Sequence, residues 1–169
     1  MAGIHFILGI HNHQPVGNFP HIFREAYEKA YLPFLEVLEK HPKIPLSLHT
    51  SGPLWEWIEQ EVPDYFDRIK DLVAQNRVEI LGGAFYEPIL SIIPDIDKLG
   101  QLNMTNLLIQ QRFSHQGKGM WLAERVWEPH LAKIIGRAGI QYLPLDDYDF
   151  MNTGLRESDL LGYYNTEEN

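Results

Sequence analysis

Gly119-Met120-Trp121-Leu122-Ala123-Glu124-Arg125-Val126-Trp127-Glu128-Pro129 reads as a short apolar strand ending in a carboxylate, with a cation beside it, two indoles around it and a proline closing it. What it means for the fold lies in its repetition. Ile4 to Ile10 is another apolar run, broken only by His5 and Gly9, and it ends in the polar loop His11-Asn12-His13-Gln14-Pro15. Ile44 to His49 leads into Thr50-Ser51-Gly52-Pro53, and Arg77 to Ala84 leads into Phe85-Tyr86-Glu87-Pro88. Tyr142 to Leu145 ends in Asp146-Asp147-Tyr148. Near-continuous apolar runs of this length suit strands buried on both faces of a parallel sheet.

Helical patterns lie between these runs. From Pro20 to Lys40, residues Ile22, Phe23, Ala26, Tyr27, Ala30, Tyr31, Phe34, Leu35 and Leu38 recur at spacings of three and four, with Pro33 set to kink or divide the helix. A second helical stretch runs from Leu54 to about Ala74 and is split by Pro63, with turn and cap chemistry at Thr50-Ser51-Gly52-Pro53. Further helices are expected from about Asp97 to Phe113 and from Pro129 to Arg137, the last stopped by Gly139, while Asn165 to Asn169 looks frayed. The β-α period is roughly 30 to 40 residues, as βαβ units require. About five such units are visible, against eight in a closed barrel of roughly 250 residues, so the chain is either an open five-stranded α/β sandwich or the first part of a barrel. A single domain over residues 1–169 is expected.

The 169 residues are 44% hydrophobic and 22% charged, with net charge −9 and no cysteine. That composition belongs to an ordinary globular domain, and it excludes a disulfide framework or thiolate chemistry. The acidic balance and the lack of a basic cluster argue against nucleic acid as partner. Met1 to Leu8 has no basic leader region and is too short to span a bilayer, so no membrane association and a cytoplasmic location are expected.

In parallel sheets the site lies at the carboxyl ends of the strands, and the polar residues of this chain collect there. His11 and His13 share a side of an extended chain, suited to sugar hydroxyls or to a metal, with Asn12 and Gln14 adding donors and acceptors. No third ligand stands at a convincing spacing, so no metal is expected. Glu79 sits inside an apolar strand, where a carboxylate needs a partner or a polar cavity. Glu87 suits ligand binding or loop bracing, and His49 suits a core or capping role. Glu124 is the sharpest candidate: Arg125 beside it would hold it ionised, as a nucleophile requires, and Trp121 and Trp127 offer flat faces for sugar rings. Asp146 and Asp147 fit either a second carboxylate or the cap of the next turn.

Taken together, His11-Asn12-His13-Gln14-Pro15, Val78-Glu79-Ile80, Gly83 to Pro88 and Trp121 to Trp127 resemble family 57 of the glycoside hydrolases in order and spacing. The likeness is strongest to its 4-α-glucanotransferases, which share the look of His49 to Pro53 and Asp146 to Tyr148, and it covers essentially the whole chain. The resemblance implies a retaining enzyme on α-1,4-glucans or maltooligosaccharides that needs no cofactor, built on an incomplete, seven-stranded (β/α) barrel of parallel strands. By position it makes Glu124 the nucleophile and His11, His13, Glu79 and Trp121 substrate contacts. It places the general acid in a later His-Asp-Asp-Gly-like segment, so Asp146 is not the acid and the chain is expected to be the N-terminal part of a longer enzyme. Two rivals remain: a metal-dependent barrel hydrolase or deacetylase using His11 and His13, and a non-catalytic glucan-binding or interaction module.

Overall fold

The computed structural model describes residues 5–166. Its centre is a parallel sheet of β1 (Gly9–Asn12), β2 (Leu46–Thr50) and β3 (Val78–Leu81) in the order β1-β2-β3. The order continues through two single parallel bridges, Gly82 to Met120 and Gly119 to Tyr142, so the chain crosses five neighbouring positions in sequence order. The fourth expected strand is thus reduced to one bridging pair on each side, and the fifth to a single pair. Gly117 and Gly119 weaken one of them, and Pro144 removes a ladder donor from the other. What survives is held by Gly82 N–H to Gly119 O at 2.8 Å, Trp121 N–H to Gly82 O at 2.9 Å and Met120 N–H to Tyr142 O at 3.1 Å.

The helices follow the expected alternation. The first is one continuous rod in three parts: α1 (Pro20–Ala26), a π-helical turn at Tyr27–Tyr31, and α2 (Leu32–Lys40). Pro33 has no N–H to give the preceding turn, and the wider π turn absorbs that loss without a break. Pro63 separates α3 (Gly52–Glu61) from α4 (Pro63–Ala74) as its sequence position dictates. α5 (Asp95–Phe113) begins with Asp95 and Asp97 in its first turn, where carboxylates oppose the helix dipole, and ends on Ser114 in a left-handed conformation. α6 (Leu131–Arg137) stops at Gly139, whose φ of +84° only glycine adopts without strain. α7 (Asp147–Asn152) starts directly after Asp146.

Two apolar clusters form the core. One joins α2, α3 and α4 to the three strands through Leu35, Leu48, Leu54, Trp55, Ile58, Ile69 and Ile80. The other gathers Leu90, Leu102, Met120, Leu122, Leu131 and Ile134 around the two bridges. α5 serves both, since Ile109 and Phe113 face the first cluster and Leu102 the second. Each fully buried Leu or Ile is worth about 1.5–3 kcal/mol, which fixes the strand ends that carry the site.

One expectation fails at the start of the chain. The run from Ile4 to Ile10 is not a strand buried on both faces: β1 begins only at Gly9, and Phe6 and Ile7 are 81% and 85% exposed. β1 pairs with β2 alone, and of the described residues before it only Leu8 is partly covered, packing on the first apolar cluster and accepting from Ser47 N–H at 3.0 Å. Ile4 itself, like the last three residues of the expected frayed end, lies outside the described residues.

Candidate active site

The loops after the first three strands are tied to one another by backbone hydrogen bonds. Ser51 N–H donates to Asn12 O at 3.0 Å, and Gly52 N–H donates to Phe85 O at 2.9 Å. Gly52 is required there, because a Cβ would lie 2.4 Å from the Phe85 ring. Ser51 stands at the N-cap of α3, but its hydroxyl does not cap the helix; it accepts from Gln14 N–H and donates to Gln14 O. The Gln14 side chain is spent inside the fold as well, donating to the Tyr31 hydroxyl and accepting from Asn18. Gln14 therefore braces the loop, and the expectation that it offers groups to a ligand is corrected.

Above this platform opens a cleft of about 410 Å³ lined by His11, His13, Tyr86, Glu87, Trp121, Glu124 and Arg125, among others. In the parallel register His11 stands opposite His49 and two residues beyond Gly9, so the two imidazoles share one face of the sheet. Their Nδ1 atoms are 2.7 Å apart and their rings stack at 4.9 Å. The Glu87 carboxylate closes the group. It is hydrogen-bonded to His13 Nδ1 and lies 3.6 Å from His11 Nε2 and 3.7 Å from His49 Nδ1. His49 thus takes the core position expected of it, at 1% exposure, yet it backs the site directly.

Burial sets the charge of this group. It lowers the His11 pKa from 6.5 to about 4, with the positive fields of His13 and Arg125 acting the same way. Burial drives His49 well below the ordinary histidine value too, aided by His11 and His13. Both rings are neutral at pH 7. Burial pushes the Glu87 carboxyl up, His13 opposes this through charge and hydrogen bond, and the Glu124 carboxylate adds to the rise.

Glu124 lies on a 3₁₀ turn, Ala123–Arg125, that ends the fourth sheet position. Glu124 and Arg125 have φ of +51° and +50°, and Glu87 across the cleft has φ of +52°. Non-glycine residues held in the left-handed region cost about 1–3 kcal/mol each, and such strain gathers where side chains must be aimed. Arg125 does not hold Glu124 as expected: its guanidinium pairs with Asp146 and lies over the Trp121 ring, 5.5 Å from its centroid. Trp121 in turn stacks on His11 at 4.9 Å with the planes 7° apart, leaving an aromatic wall on the cleft. Trp127 is not among the residues that line the cleft; half-buried, it packs against the second apolar cluster. Asp146 stands at the N-cap position of α7 and Asp147 opens the helix, but the Asp146 carboxylate accepts from Arg125 and does not cap the helix.

Glu79 is not among the residues lining the cleft. It sits one layer deeper, opposite Ser47 in register, and its carboxylate accepts from the Ser47 hydroxyl at 3.3 Å and from the Tyr142 hydroxyl. Sequence reasoning missed two things. Glu87 is the hub of the histidine cluster, 74 residues from His13, and no local spacing signals that closure. Tyr142 is the partner of Glu79, 63 residues away, visible only once the fifth position is threaded beside the fourth.

Comparison with known proteins places the cleft in context. The profile of Glycosyl hydrolase family 57 matches residues 7–169. The chain is 51% identical over 165 residues to "Alpha-amylase 1" of Dictyoglomus thermophilum, covering 98% of this chain and 24% of that protein. It is 46% identical over 168 residues to the "4-alpha-glucanotransferase" of Thermococcus litoralis, covering 99% of this chain and 25% of that protein. The crystal structure of 4-alpha-glucanotransferase from Thermococcus litoralis superposes with a TM-score of 0.90 at 47% identity, over 93% of this chain and 24% of that one. The chain spans about a quarter of the length of the relatives it matches.

Proposed function

The chain belongs to glycosyl hydrolase family 57, and from that premise we propose that it carries the nucleophile-bearing part of an α-1,4-glucan site. The observation that bears most weight is the Glu124 carboxylate, held in a strained left-handed conformation at a cleft walled by Trp121 and two imidazoles. Relatives named as an α-amylase and a 4-α-glucanotransferase support glucans as the substrate class. Glu124 attacks the anomeric carbon as the glycosidic oxygen leaves, giving a glycosyl-enzyme that water or the hydroxyl of a second glucan resolves. The indole of Trp121 walls the space for a sugar ring, His11 and His13 bond its hydroxyls, and Glu79 anchors the layer beneath.

The departing oxygen needs a proton. Glu87, the other carboxyl of the cleft, is 8% exposed and committed to His13, so it braces the histidines rather than reaching a leaving group. In this reading the general acid lies outside these 169 residues, and the chain alone binds maltooligosaccharides but turns them over negligibly. Calorimetric titration with maltohexaose should show binding that Trp121→Ala and His13→Ala each weaken; absence of binding by the unaltered chain refutes the glucan reading. Disproportionation or hydrolysis abolished by Glu124→Gln would instead refute the missing acid.

A further inference from the structure

The grouping of His11, His13 and Glu87 does more than line a sugar cleft. One ring nitrogen of His11, one of His13 and a Glu87 oxygen lie within 4.8 Å of one another, each able to offer a lone pair to a common ion. Tetrahedral zinc with bonds of about 2.0–2.1 Å sets its donors roughly 3.3 Å apart. The separation of 3.6 Å between His11 Nε2 and Glu87 Oε1 is already near that spacing. His13 Nδ1 and the Glu87 carboxylate are joined directly by a hydrogen bond, and a cation can take the place of its proton.

The neighbours match what such a site requires. A metal-bound histidine is aligned by a hydrogen bond from its other ring nitrogen, which fixes the tautomer. His11 has this arrangement: its Nδ1 meets the Nδ1 of buried His49 at 2.7 Å, leaving Nε2 turned toward Glu87. Glu87 is fixed by its left-handed backbone and His11 by β1, so two of the three donors stand on rigid supports. All three residues line the cleft, as does Glu124.

We propose that His11, His13 and Glu87 form a binding site for a single divalent cation of the zinc class within the cleft. Two imidazole nitrogens and one carboxylate oxygen favour a borderline ion over calcium or magnesium, which take oxygen donors. Because the ion uses the histidines assigned above to sugar hydroxyls, zinc and maltooligosaccharide exclude each other. This competition rests on the glucan reading; the ion site itself does not.

Calorimetry of the untagged, chelator-treated 169-residue chain with zinc chloride should give one saturable equivalent. His13→Gln and Glu87→Gln should each weaken it more than tenfold, whereas His41→Gln, at the far end of α2, should leave it unchanged. Cobalt should give the intense visible absorption of a tetrahedral centre in the unaltered chain, lost in both cleft variants while their far-ultraviolet dichroism is retained. Failure to bind zinc, or equal binding by the cleft variants, overturns the site, and calcium bound as tightly as zinc overturns its donor assignment. If zinc binds as described but leaves maltohexaose affinity unchanged, the ion site stands and the placement of sugar on His11 and His13 falls.

Discussion

Gly83→Ala is the substitution that tests most directly how the cleft is supported. A Cβ at Gly83 would lie 2.7 Å from His49 Nε2 and 2.9 Å from the Trp121 carbonyl oxygen. His49 has nowhere to retreat: it is 1% exposed and stacked against His11. The Trp121 carbonyl is fixed too, because the same residue's N–H is bonded to Gly82 O at 2.9 Å. Overpacking a rigid site costs about 1–3 kcal/mol, and two immovable neighbours put this methyl at the upper end, about 3 kcal/mol. For a chain of this size that lowers the melting temperature by about 6–12 °C. Thermal and urea unfolding provide the measurement, with Gly9→Ala as control because nothing lies within 4 Å of its Cβ position. Repeating Gly83→Ala in a His49→Ala background should recover at least about 1 kcal/mol, since the two groups share one space. A loss below about 0.5 kcal/mol, or the same loss in both backgrounds, would refute the claim that His49 is wedged beneath the cleft.

Gly100→Ala should act in the opposite sense, stabilising by about 0.5–1 kcal/mol in urea melts, because Gly100 lies within α5 with open space at its Cβ position. Acidification should destabilise the chain: the folded-state pKa of His11 is depressed from 6.5 to about 4, so its contribution is full above pH 6.5 and is lost as pH falls toward 4. Allowing for partial exposure, this amounts to about 2 kcal/mol, read as the difference in pH slope between the unaltered chain and His11→Gln in chelator-containing buffer. Tyr142→Phe should weaken maltohexaose binding while lowering stability by about 1 kcal/mol or less, since it removes only the hydroxyl donated to Glu79; unchanged affinity would show that Glu79 needs no bracing.

Local pattern carried the architecture because the local forces are strong. Spacing along Pro20 to Lys40 and the position of Pro63 place the helices to within a few residues, and the apolar runs place β2 and β3. Strand extent was less legible, because a strand's length depends on its neighbours. The stretch at Gly119 to Trp121 has the apolar content of a strand, yet only one residue pair bridges on each side of it. Burial at the front of the chain failed for the same reason: Phe6 and Ile7 are apolar enough for a core, and hydrophobicity alone does not supply the neighbour that would cover them.

The site divides along the same line. Positions at strand ends could be read from the chain, since the alternation of strand and helix fixes which end of the sheet they occupy, and His11, His13, Trp121 and Glu124 do line one cleft. Partnerships could not. Adjacency in sequence made Arg125 the natural counter-ion of Glu124, but two successive left-handed residues turn their side chains apart, and the guanidinium reaches Asp146, 21 residues on. Glu87 illustrates the converse, being read as an uncertain loop residue while the fold sets it between three imidazoles from two different strand ends. A carboxylate in that position fixes what the cleft can bind. Under the two proposals, the proton between Glu87 and His13 leaves hydrogen-bonding groups for a sugar, and its replacement leaves lone pairs for an ion. The same three side chains cannot do both at once.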